Sequence, residues 1–193
     1  MTDENTLFYK QQLHADGVVH IRGLLNQDDL QELNSTIDEV LANPSPFGVQ
    51  LQKPETGGMF FTDFNNWSRL SKVENFCRKQ KILNMIQALT GSGTAYLFHD
   101  HILVKEGNSI ATPWHQDRPY YIFEGDLNLS IWMPTTDVTE DSSLEFWRGS
   151  HKSNEIYMPK GFSDGRALGN NSDFVELYEN DIPQCERMTF DMK

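Results

Sequence analysis

Ala95-Tyr96-Leu97-Phe98-His99-Asp100-His101-Ile102-Leu103-Val104-Lys105 is where the chain changes character. Aromatic and β-branched residues crowd this stretch, and it reads as a strand over 95–105. Side chains alternate across a strand, so Leu97, His99, His101, Leu103 and Lys105 share one face and Phe98, Asp100, Ile102 and Val104 the other. The second face suits a sheet packed under helices. The first places two histidines and a lysine either in a barrel interior, where each needs a polar partner, or against solvent; spacing alone does not choose.

Upstream the chain is mostly helical. Val18–Arg22 is β-branched and ends at Gly23, which predicts a short strand. Asn26 is a good N-cap, and Asp28 and Asp29 follow in the first turn. Leu30, Leu33, Ile37, Val40 and Leu41 form one helical stripe, which Asn43-Pro44-Ser45-Pro46 stops. Residues 44–68 read as a Gly/Pro/aromatic loop, and residues 69–90 return to helical spacing before Gly91-Ser92-Gly93. Downstream, Asn128–Met133 and Leu144–Trp147 look like strands, and another run begins at Met188–Phe190. Residues 152–185 are polar and read as a long insertion or flexible excursion. Short strands without alternating helices predict a mainly β jelly roll behind N-terminal helices. We expect one domain over 1–193, helical over 1–93 and β over 94–193.

The 193 residues suffice for a sizeable core. Lys plus Arg number 16 and Asp plus Glu 28, a net charge of −12. That argues against a nucleic-acid backbone reader and against a polybasic membrane surface binder. No apolar run is long enough to span a bilayer, and no secretory signal is visible. The two cysteines, Cys77 and Cys185, make no disulfide framework; reduced thiols in a cytoplasmic protein are expected, with Cys77 inert on an apolar stripe.

The strongest chemical signal is Thr112-Pro113-Trp114-His115-Gln116-Asp117-Arg118-Pro119-Tyr120-Tyr121. On an extended segment His115 and Asp117 point the same way, about 6–7 Å apart along the chain. An imidazole and a carboxylate so placed can grip one cation, and with a second His they would make the facial triad of Fe(II) oxygenases. Alone, the pair also fits an Asp accepting a hydrogen bond on a loop. Trp132 could wall a pocket or simply fill the core. His151 sits at a turn and suits a capping role. Tyr120, Tyr121 and His99 are candidates for a substrate pocket or for plain packing. No Gly-rich phosphate loop, Gly-x-Ser-x-Gly elbow or Cys-x-x-Cys is present.

Together, Phe98–Lys105, Thr112–Asp117 with Tyr120-Tyr121, Leu129–Pro134 and Leu144–His151 resemble, in order and spacing, the phytanoyl-CoA dioxygenase family. Asp16–Val19 leading to Arg22–Leu25 resembles its entry strand and helix. The resemblance implies a double-stranded β-helix (cupin-like) that uses Fe(II) and 2-oxoglutarate to hydroxylate a small-molecule C–H bond. It implies that His115 and Asp117 ligate iron and that His101 and Trp132 contact 2-oxoglutarate, with Lys105 a weaker candidate. Relatives also carry a later iron-binding His and an Arg for the cosubstrate. No histidine follows His151 here, and Arg187 lies too early. The expectation is therefore a C-terminally truncated member, its last strands missing, weakly active or inactive, and self-associating as a homo-oligomer through exposed sheet edges. The competing expectation is a metal-free binding or interaction module on the same scaffold.

Overall fold

The computed structural model describes residues 3–52, 57–125, 127–170, 172–178 and 186–193. Cys185 and the end of the 152–185 segment lie outside them. The chain divides into two compact units, Gly23–Ala111 and Met1–Arg22 with Thr112–Lys193. Among the described residues no helix is long and apolar enough to cross a membrane.

In the Gly23–Ala111 unit, helix α2 (Gln27–Ala42) starts where the sequence places it; α1 (Asp3–Asp16) belongs to the other unit. Asn26 Oδ1 accepts the Asp29 N–H at 3.0 Å, and the Asp29 carboxylate accepts the Asn26 N–H at 2.8 Å. This reciprocal box satisfies two N–H groups that a helix start leaves open. Asp29 is buried and also holds Lys79 Nζ at 2.7 Å and Lys81. Those ammonium groups, Lys79 first, hold its carboxyl well below the usual carboxylate range.

Residues 69–90 are not one helix. They form α3 (Ser71–Cys77) and α4 (Gln80–Thr90), broken at Arg78-Lys79, with Gly91 closing α4 at φ +74°. Val73 and Phe76 on α3 and Ile82, Met85 and Leu89 on α4 are buried, as the stripe predicts. Cys77 is half-buried, and desolvation, helped by Asp100, pushes its thiol up to about 11, so it is inert at neutral pH.

The predicted loop over 44–68 is corrected: it contains two strands. β1 (Val49–Gln52) and β2 (Gly58–Phe64) pair antiparallel, and β2 is central between β1 and β3 (His101–Gly107). Phe60 and Asp63 of β2 are fully buried. The Asp63 carboxylate is matched by the Ser45 N–H at 2.8 Å, by the Ser45 hydroxyl, and by Arg69 at 3.9 Å, so the buried charge is compensated. The strand predicted from residue 95 begins only at His101. Ile102 and Val104 lie on its more buried face, and His101, Leu103 and Lys105 on its exposed one.

In the other unit, α1 (Asp3–Asp16) is followed by Gly17 and an extended segment. The strand predicted at Val18–Arg22 pairs with nothing among the described residues and is not a strand; the same holds for Asn128–Met133. The 144–147 and 188–190 predictions shrink to a two-residue ladder, β4 (Phe146–Trp147) against β5 (Arg187–Met188). The architecture is therefore mixed helix and small sheets rather than mainly β. The 152–185 excursion is engaged, not loose, over its described part: bridges join Tyr157 to Val175 and Lys160 to Ala167.

Candidate functional site

The Met1–Arg22 with Thr112–Lys193 unit holds His115, Asp117, Tyr120, Tyr121 and Trp132. His99, His101 and Lys105 lie in the Gly23–Ala111 unit.

The stretch before Asp117 belongs to no regular element, and Asp117 itself turns (φ −70°, ψ −34°) to open the short 3-10 turn Arg118–Tyr120. The expected same-side geometry survives, tightened by that turn. His115 Nε2 stands 3.4 Å from Asp117 Oδ1. The other ring nitrogen, Nδ1, lies 2.8 Å from the Pro113 carbonyl oxygen. A carbonyl only accepts, so Nδ1 carries a proton and Nε2 holds the free lone pair or, in the imidazolium, is a second donor. The Asp117 Oδ2 atom is occupied separately, by the Ser130 hydroxyl at 2.5 Å and the Tyr121 hydroxyl at 3.3 Å. One carboxylate oxygen is thus anchored and the other faces the imidazole.

With a neutral ring, Nε2 and Oδ1 are both acceptors, and their approach calls for a cation between them. A proton is one answer. Burial alone would lower the His115 value, but the Asp117 carboxylate and the Pro113 carbonyl outweigh it and raise it above 6.5. The Asp117 carboxyl is held at about 2, first by the His115 hydrogen bond, so it is ionised at neutral pH. A divalent metal is the other answer. Donors about 2.1 Å from one metal and near a right angle lie about 3 Å apart, close to the separation observed. A carbonyl on the second imidazole nitrogen is also the usual outer support of a metal-binding His.

Aromatic rings flank the pair. Tyr120 meets the His115 ring edge-on at 5.7 Å, and Phe162 lies 4.9 Å from it. Tyr121 stacks on Phe123 at 5.4 Å. Trp132 stands 38% exposed. His151 reaches the His14 carbonyl at 3.2 Å at the end of α1, a capping role.

In the other unit, His101 Nε2 is 2.5 Å from the Thr62 hydroxyl, and the His99 and His101 rings are 6.1 Å apart. Lys105 Nζ donates to the Ile110 carbonyl at 3.0 Å and lies 4.3 Å from the Phe60 ring centre, and burial lowers its pKa. Among the described residues no group of three or more His, Cys, Asp and Glu could hold a metal.

The sequence reading gave no role to Gln116 or Phe162. Gln116 could have been noticed, because alternation turns it away from the His115–Asp117 side. Phe162 lies in a polar segment with no periodic signal.

The sequence model of phytanoyl-CoA dioxygenase (PhyH) matches residues 13–192. The chain belongs to the phytanoyl-CoA dioxygenase family. No curated protein matches it. Among solved structures, the chain is similar to the epimerase SnoN in complex with Fe3+, alpha ketoglutarate and nogalamycin RO. The TM-score is 0.69 at 18% identity, covering 100% of this chain and 72% of that one. A second structure, the non-heme alpha ketoglutarate dependent epimerase SnoN from nogalamycin biosynthesis, gives 0.64 at 17% identity, covering 100% and 69%. At this identity the likeness speaks for the fold.

Proposed function

We propose that this family member is an Fe(II)- and 2-oxoglutarate-dependent dioxygenase that hydroxylates a C–H bond of a small molecule, with His115 and Asp117 as metal ligands. The observation that carries the reading is the anchored pair: Nδ1 fixed on Pro113, Oδ2 fixed by Ser130 and Tyr121, and Nε2 and Oδ1 left 3.4 Å apart. A neutral imidazole and a carboxylate suit Fe(II). The cosubstrate assignment is supported by the family and by the alpha ketoglutarate bound to a similar fold. The family match spans both compact units, which supports treating them as parts of one cupin-like domain.

Iron(II), when bound, would let dioxygen serve as the oxidant for C–H hydroxylation, one oxygen atom going to the substrate and the other to succinate as 2-oxoglutarate loses CO2. His115 contributes one lone pair, and the Pro113 carbonyl stops its ring from turning. Asp117 contributes one negative oxygen, and the two hydroxyls on Oδ2 keep it from swinging. Tyr120 and Phe162 flank the imidazole and shield part of it from water. For 2-oxoglutarate we propose Trp132, with His101 and Lys105 carried on the block Phe98–Lys105 alone. Two protein ligands hold a metal less firmly than three.

The test is succinate release from 2-oxoglutarate by the full chain as Fe(II) is raised. Release that rises with iron and disappears in His115→Ala and Asp117→Ala is expected. Release that both variants retain would overturn the assignment.

A second reading, a metal-free binding module, draws on the missing third His, Cys, Asp or Glu among the described residues. Iron absent by elemental analysis after anaerobic reconstitution would favour it.

A further inference from the structure

Gln116 lies between the two proposed ligands, and its carboxamide faces the 155–160 segment. It donates to the Glu155 carbonyl and accepts the Tyr157 N–H, each at 3.1 Å. A side chain here makes the pair of bonds that a neighbouring strand would make. Four residues on, the Tyr120 hydroxyl donates to the Lys160 carbonyl at 2.8 Å and accepts the Lys160 N–H at 2.9 Å. The segment 155–160 is therefore gripped at both ends by the motif that carries His115 and Asp117, and Pro159 between the grips is buried. Beyond it the chain turns tightly, with the Gly161 N–H on the Arg166 carbonyl at 2.8 Å and the Gly165 N–H on the Gly161 carbonyl at 2.9 Å. That turn carries Phe162 and seats its ring 4.9 Å from His115 and 5.9 Å from Tyr120.

Phe162 is half-buried, so part of it is open to solvent. The one cation of 155–162, Lys160, is directed elsewhere: its Nζ donates to the Leu177 carbonyl at 2.9 Å and lies 3.6 Å from Glu176. The segment's one anion, Glu155, accepts the Tyr157 hydroxyl at 2.9 Å, and the group the segment brings against His115 is the Phe162 ring. On the Asp117 side, Phe123 stacks on Tyr121 and is 37% exposed.

We propose that Phe162, held in place by the grips of Gln116 and Tyr120, is the specificity-determining wall of the site and takes an uncharged, flat apolar ring of the substrate. This rests on the His115–Asp117 site proposed above and adds a substrate class to it. Offset or edge-on aromatic contact supplies the selectivity, and the grips remove the entropy cost of ordering the wall.

The test uses the full chain, Co(II) as the metal probe and 2-naphthol as the ring probe, with 2-naphthol affinity read by saturation-transfer NMR. Phe162→Ala is expected to weaken 2-naphthol by about fivefold, and Phe162→Leu, which keeps apolar bulk on His115, by about threefold. Co(II) affinity stays within about twofold in both, because neither variant removes a donor atom. Unchanged 2-naphthol affinity in Phe162→Ala would overturn the proposal. So would loss of Co(II) binding in both variants, which would make the ring a structural prop. Failure of the underlying metal reading shows separately, as identical Co(II) titrations of the parent chain and His115→Ala, and leaves the 2-naphthol comparison standing.

Discussion

Replacing Asp117 by Asn in the chelator-treated chain probes the paired site without any metal. The carboxyl is held at about 2 against an ordinary 3.8. At about 1.36 kcal/mol per pH unit the depression corresponds to about 2.4 kcal/mol. The side chain is 48% exposed, so solvent screening brings the usable figure to about 1 kcal/mol. For a chain of this size that is about 2–4 °C in Tm at pH 5–6. The sign follows from both partners. Asp117, with a lowered folded value, stabilises above about pH 4 and loses that contribution as pH falls toward about 2. His115, with a raised value, stabilises below 6.5 and loses its contribution as pH rises through the folded value. The parent chain therefore carries a plateau of extra stability between about pH 4 and 6.5 that Asp117→Asn lacks. The amide can turn its oxygen to Ser130 and Tyr121 and its NH2 to the His115 lone pair, so the fold survives while the reason for protonating His115 disappears. NMR titration of the His115 ring protons reads this directly. The parent titrates above 6.5, and the variant lower than the parent, because only the Pro113 carbonyl then opposes burial. An unchanged titration would refute the argument that the carboxylate fixes the charge of this imidazole.

Two further outcomes test the scaffold. Gly17 has φ +82°, and a Cβ there would stand 2.3 Å from His151 Nδ1. Gly17→Ala is expected to cost about 2–4 kcal/mol in urea unfolding, from left-handed strain plus the clash, and a cost under about 0.5 kcal/mol would show that the end of α1 is not pinned there. Asp29→Asn leaves Lys79 and Lys81 without their shared anion while an amide oxygen still accepts the Asn26 N–H, a loss of about 2 kcal/mol at pH 7. Because the Asp29 carboxyl is lowered by Lys79 first, the parent loses this contribution as pH falls below about 4, and the two chains converge in acid. A difference as large at pH 2 as at pH 5 would contradict that linkage.

The parts of the fold that the sequence announced are those set by local chemistry. Asn26, two acids and a stripe ending at Pro44 define α2 because cap, dipole and packing all act within a few residues. His115 and Asp117 were legible because alternation is a local geometric rule, and the turn at Asp117 only brought them closer. β2 was hidden because it is central and buried on both faces at Phe60, Phe61 and Asp63, which erases the period of two. Val18–Arg22 and Asn128–Met133 erred the other way: they have strand composition, but a strand needs a partner that propensity does not encode. Phe162 was invisible because its place depends on contacts from Gln116 and Tyr120 made some 40 residues away in sequence.

Anaerobic calorimetry of Fe(II) binding to the full chain in the presence of 2-oxoglutarate tests the central claim most directly. The account predicts one site per chain that weakens by about 100-fold or more in His115→Ala and in Asp117→Ala, and by about 10-fold in Ser130→Ala, which frees the anchored oxygen. Iron that binds all four chains alike, or binds none of them, would contradict it.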